Sequence, residues 1–352
     1  LKKVNHTLTG LRGLLALSVV IYHIYGSAVL ESYIHEVSRS NPVYLLNFAG
    51  PISVKLFFVI SGYLITRSLL QKSTLREFAI NRFLRIYPVF MTIHLMIFAV
   101  GPFIGYKWMT GIGFGDYIKH FISNALMLPG IFPLPIAQIV AWSLSYEMVF
   151  YVLVALAWAA YRTKIPTILK WASYAVIIAA CVVVVYYRKD MLYFAVGIAM
   201  YFSEGLIKQW WKPLKIYYLN GIIFLAGIYL AYNTMQDPTI PALVLSFLFF
   251  ISIVTEHGLL SWLLRTRVMI YLGNISFSLY MWHTMVMFAL KIIVPKIGSI
   301  IGTSSLAFPI YALLSLVMSL IVSDLSYRII EVKLTKRIKR RKAVTPVGET
   351  AV

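Results

Sequence analysis

The chain has 352 residues, 60% of them hydrophobic and only 12% charged, with a net charge of +20. A soluble domain carries about twice that charged fraction, so a large soluble domain is excluded, and apolar runs of about 20 residues recurring along the chain are the transmembrane signal. The one cysteine, Cys181 in the run CVVVVYY, excludes an intrachain disulfide and a cysteine zinc cluster and reads as a small packing residue.

Ten membrane helices are expected, at about 11–29, 48–70, 86–106, 141–161, 171–187, 191–206, 216–234, 238–256, 268–290 and 306–328. The fold class is therefore an all-α polytopic membrane protein with both termini cytoplasmic. The first run contains Arg12 and is followed by no small-residue cleavage site, so it is expected to stay as a helix rather than leave as a signal peptide. Residues 117–130 read as an interfacial or re-entrant piece. With a cytoplasmic N-terminus, Lys and Arg divide into roughly 23 inside, 7 outside and 2 within the membrane, as the positive-inside rule requires. The basic excess then needs no nucleic-acid partner, and the tail segment KLTKRIKRRK is an anchor near anionic lipid. Residues 1–335 form the membrane domain and 336–352 a basic cytoplasmic tail. No inverted repeat of the transporter kind is visible. About 24 residues follow the last expected helix, so the chemistry is expected inside the bundle.

In the first helix, GLRGLLALSVVIYH carries an ionisable group at either end. Eleven residues at 100° each return to within about 20° of the same face, with a rise of about 16 Å. Arg12 and His23 thus share a face, Arg12 near the cytoplasmic edge and His23 about halfway across. Intramembrane ionisable groups usually face a cavity or a partner. Taken singly, Arg12 reads equally as a snorkelling cation and His23 as an interhelical hydrogen bond. NRFLRIYP places Arg82 and Arg85 on one helix face, at the cytoplasmic start of the third helix. A close arginine group there suits a ligand with several phosphates, because guanidinium pairs bidentately with phosphate oxygens.

LFFVISGYLITRSLL carries Ser61 and Gly62 at mid-membrane depth, where glycine permits close approach of a helix or a ligand. AWSLSYEMVFY puts Glu147 about 9 Å below the outer surface, and LGNISFSLYMWHTMV puts His283 about 22 Å up the ninth helix. His23, Glu147 and His283 fall in one band of depth, with the arginines below. A long anionic donor resting its phosphates on Arg12, Arg82 and Arg85 would deliver the far end of its arm near His23; coenzyme A has that shape. His23 would take a proton from an attacking hydroxyl, with Glu147 orienting it or serving as acid or base. No metal is expected.

At these residues the sequence resembles the acyltransferase-3 family of integral membrane acyltransferases, which includes bacterial O-antigen and exopolysaccharide O-acetyltransferases. The likeness runs over about 5–335 and rests on Arg12-x10-His23 and the FFVISGYL, RIYP and WSLSYE segments in the family's order. It implies a helical bundle in the cell inner membrane that takes acyl groups, acetyl in the first instance, from cytoplasmic acyl-CoA. It further implies a glycan acceptor on the outer side. It implies that Arg12 and His23 are needed for activity and that Arg82 and Arg85 lie near the CoA phosphates. Tyr87, Ser61 and Gly62 count with the donor-binding residues, Trp142 and Ser143 with the acceptor, and Glu147 and His283 with His23 as catalytic. Thr9 stands where the family often has aspartate, and Ser145-Tyr146-Glu147 where many members have Val-Glu-Glu. The latter variant is similar to the exopolysaccharide branch. With so short a tail, the hydrolase-like domain that some members carry is not expected here. Two other readings are a proton-coupled transporter using the buried His and Glu, which leaves Arg82 and Arg85 unexplained, and an acyltransferase with a lipid or peptide acceptor.

Overall fold

Asn5 opens the first helix, its Oδ1 accepting the Leu8 amide at 2.7 Å. From there the computed structural model describes residues 5–71, 74–210, 214–301 and 306–338, with 296–301 described by backbone alone. The expected tail lies, from residue 339 on, outside the described residues. The elements are α1 (His6–Leu30), α2 (Leu46–Leu70), α3 (Leu75–Val100), α4 (Phe114–Ala125), α5 (Trp142–Arg162) and α6 (Thr167–Tyr187). They continue with α7 (Leu192–Trp210), α8 (Asn220–Thr234), α9 (Thr239–Val254), α10 (Leu259–Leu264), α11 (Arg267–Ile301) and α12 (Ala307–Ser326). Among the described residues there is no strand, and nine helical segments are long and apolar enough to cross a membrane. The eighth expected span is the shorter α9, of 16 residues. The chain is an all-α polytopic membrane protein.

The largest shift from expectation is in the third span. Thr74 caps α3 in a reciprocal capping box with Glu77, so the helix begins at Leu75 rather than near 86. It runs through Pro88, which cannot donate to the turn before it but does not end the helix. Arg82 and Arg85 therefore sit about 10 and 15 Å along α3, inside it rather than at its start. The stretch 117–130 forms the short amphipathic α4 and the turn after it.

The centre of the bundle is α1 held between α2 and α11. A Cβ on Gly273 would lie 1.9 Å from Thr9 O, and one on Gly13 would lie 2.6 Å from Gly273 N, so the α1 and α11 backbones touch with no side chain between them. On the other side of α11, α12 buries Ser315, Ser319, Ser323 and Ser326 along one face. By contrast α6 buries none of its 21 residues and faces lipid.

Candidate active site

The close contact of α1 with α11 brings two histidines together from opposite ends of the chain. His23 Nδ1 is 3.1 Å from His283 Nε2. Each ring also meets a carbonyl one turn back on its own helix: His23 Nδ1 at 3.0 Å from Val19 O, and His283 Nδ1 at 3.0 Å from Leu279 O. His283 is fully buried and His23 partly so. Among the described residues the hydrogen bonds of His23 run through Nδ1, and its Nε2 is not among the enclosed, unpartnered atoms.

Below this pair a cavity of about 80 Å³ lies between α1, α2, α3, α5 and α11. Arg12, Arg82 and Arg85 all line it, with Ser61, Ser143, Glu147 and Tyr280. Among the described residues none of the three guanidinium groups makes an ion pair. Nε of Arg82 is enclosed without any partner, and the group rests against the rings of Phe78 and Tyr151 at 5.9 and 6.0 Å. Tyr280 joins the two parts of the site. It lines the cavity, meets Ser143 Oγ at 2.7 Å, and stands with its ring 6.2 Å from that of His283.

The structure does not place Glu147 on His23. Its Oε1 accepts from Ser61 at 2.6 Å and from Tyr151 one turn on, which leaves the carboxylate facing the arginines rather than the imidazole. The partner of His23 is His283. Three other predicted residues lie outside the cavity wall. Gly62 is pressed against α7, where a Cβ would fall 2.2 Å from Phe194 O, so it serves helix packing. Tyr87 stacks on Phe83 at 4.4 Å, and Trp142 packs edge-on against Phe58 and Tyr146. Among the described residues no three His, Cys, Asp or Glu side chains gather as a metal site would need.

Sequence reasoning missed Glu331. Beyond α12 the chain continues as a π-helical stretch, Tyr327–Leu334, a form often found at functional sites. Within it Glu331 accepts from Ser278 at 2.5 Å and interacts electrostatically with Arg85 and Arg12. The available signal was one acidic residue in the otherwise basic run RIIEVKLTKRIKRRK. Tyr151 was missed as well, although its spacing from Glu147 is one helical turn.

The family model described as an acyltransferase domain, type 3, matches residues 5–328. The chain is 24% identical over 381 residues to an acyltransferase, MdmB, of Streptomyces mycarofaciens, covering 98% of this chain and 95% of that protein. It is 24% identical over 402 residues to the peptidoglycan O-acetyltransferase OatA of Listeria monocytogenes, covering 95% of this chain but only 56% of that protein. No solved structure matches.

Proposed function

Because this chain belongs to the type 3 acyltransferase family, whose domain model covers residues 5–328, we propose that it is a membrane O-acyltransferase. It moves an acyl group, acetyl in the first instance, from cytoplasmic acyl-CoA to a hydroxyl of a cell-surface polysaccharide or lipid-linked glycan. The observation that carries this reading is three guanidinium groups facing one cavity with no anion within ion-pair distance among the described residues, one of them with an enclosed, unpartnered Nε. Guanidinium groups pair bidentately with phosphate oxygens, so a phosphate-bearing donor supplies the acceptors that Arg12, Arg82 and Arg85 lack. The glycan acceptor is supported by one relative being a peptidoglycan O-acetyltransferase. This chain spans about half that relative's length. A bacterial inner membrane is the location this reading implies.

In the reaction, the residues have separate tasks. Arg12, Arg82 and Arg85 hold the anionic end of the donor, and Glu147 and Glu331 keep that cationic group from being wholly uncompensated. His23 Nε2 takes the proton of the acceptor hydroxyl as its oxygen attacks the thioester carbon. The carbon–sulfur bond breaks as the ester carbon–oxygen bond remains, and His23 returns the proton to the departing thiolate. An ester and a free thiol leave, and the enzyme is unchanged.

The test is thermal stabilisation of the purified protein by acetyl-CoA, for the native chain and for Arg82→Ala/Arg85→Ala, followed by labelled acetyl transfer with His23→Ala. Saturable stabilisation lost in the double variant is expected. A well-folded native protein unaffected by millimolar acetyl-CoA would overturn the reading.

A further inference from the structure

The histidine pair allows its protons to be counted. Leu279 O is a carbonyl and only accepts, so the Nδ1 atom 3.0 Å from it carries hydrogen. A neutral His283 then has its lone pair on Nε2. That lone pair faces His23 Nδ1 at 3.1 Å, and Val19 O faces the same atom at 3.0 Å. Both neighbours accept, so His23 Nδ1 carries hydrogen and shares it between them. The lone pair of His23 is left on Nε2, which makes no hydrogen bond among the described residues. The opposite assignment, with hydrogen on Nε2 of His283, would leave His23 Nδ1 as a lone pair against the Val19 carbonyl with no proton between them.

We propose that His283 is a positioning residue: by accepting from His23 Nδ1 it fixes the ring orientation and the tautomer that leave Nε2 as the base. The inference rests on the reading of His23 as that base. In serine-protease triads a carboxylate holds the histidine. Here the partner is a fully buried imidazole, which in its neutral form sets direction without adding a charge to the membrane interior. No carboxylate reaches either ring among the described residues. Glu147 is bound to Ser61 and Tyr151, Glu331 to Ser278, and Glu31 to Lys291. The ring neighbours that titrate are Tyr22 on α1, at 4.8 Å from His23, and Tyr280 on α11. Tyr311 of α12 is bound to Ser27 instead.

The test reads the tautomer directly. The full chain, labelled with nitrogen-15 histidine in detergent micelles, is compared as native, His283→Gln and His283→Phe, with His23→Gln identifying the His23 signals. Glutamine retains an acceptor near the Nε2 position, and phenylalanine retains volume without one. Native protein and His283→Gln are expected to show His23 protonated on Nδ1. In His283→Phe the ratio of the two tautomers should fall at least about tenfold, and kcat for acetyl transfer about 10- to 100-fold with KM for acetyl-CoA unchanged. If the phenylalanine variant does not fold, His283→Leu, which likewise lacks an acceptor, takes its place, because Val19 O alone also favours hydrogen on Nδ1. A native His23 protonated on Nε2, or a His283→Phe spectrum equal to the native one, would overturn the inference. Thermal stabilisation by acetyl-CoA on the same samples separates the two readings. Its absence in native protein sinks the transferase assignment and leaves the tautomer result standing.

Discussion

Gly273→Ala puts the contact of α1 and α11 to the test. The new Cβ would lie 1.9 Å from Thr9 O, whereas ordinary van der Waals contact begins at 3.4 Å, so the helices must part by about 1.5 Å. The obstructing atom is backbone, and no rotamer change relieves it. The histidine pair lies ten residues further along α11, about 15 Å up the same seam. A rigid parting would stretch the 3.1 Å contact of His23 with His283 to about 4.6 Å, beyond hydrogen-bond range. Overpacking of this kind destabilises by about 1–3 kcal/mol, and a displacement of about 1 Å at a reacting centre lowers the rate on the order of 100-fold. The assay is thermal unfolding in micelles together with labelled acetyl transfer. Gly205→Ala serves as control, because a Cβ there meets nothing within 4 Å. Native melting and native turnover in Gly273→Ala would refute the account of the seam.

Arg82→Ala/Arg85→Ala should weaken acetyl-CoA binding by more than about 100-fold, since each charge-assisted hydrogen bond contributes about 1.5–3 kcal/mol; isothermal titration measures it, and unchanged affinity would refute the phosphate role. His23→Ala should lower acetyl transfer by about 100- to 10,000-fold while the thermal shift with acetyl-CoA stays native. A variant that binds less tightly and turns over normally would contradict that. Tyr151→Phe removes one of the two donors to Glu147 and should destabilise the protein by about 1–3 kcal/mol, read by thermal unfolding, with Phe78→Leu as a packing control.

Much of the fold was legible because membrane helices declare themselves by length and hydropathy, which is why α1, α2, α5 and α12 stand close to where periodicity puts them. The start of α3 was not, because Thr74 and Glu77 signal a cap in a stretch polar enough to read as loop. Helical rise put His23, Glu147 and His283 in one band, but Glu147 lies with the arginines in the cavity while only the two histidines meet, because rise carries no azimuth. Which of them meet depends on the glycine seam between helices separated by about 260 residues of chain, and nothing local encodes that. Glu331 was hidden for a related reason: it lies past the last apolar run, and its burial comes from a π-helical turn and from Ser278 on another helix. Gly62 shows the reverse, a residue whose surroundings in sequence suggest a ligand and whose neighbour is a helix backbone.

The seam between α1 and α11 also sets an order on biosynthesis. His23 waits for a partner 260 residues downstream, about 13–52 s at ordinary translation rates of about 5–20 residues per second. Through that interval α1 resides in the bilayer with Arg12 and His23 lacking the neighbours that later enclose them, and it has to be retained on the hydrophobicity of its other residues. A nascent chain halted between α3 and α11 holds Arg12, His23, Arg82 and Arg85 but not His283. The pairing of the two histidines therefore arrives only with the last third of the polypeptide, and a translation product that stops short of α11 lacks it.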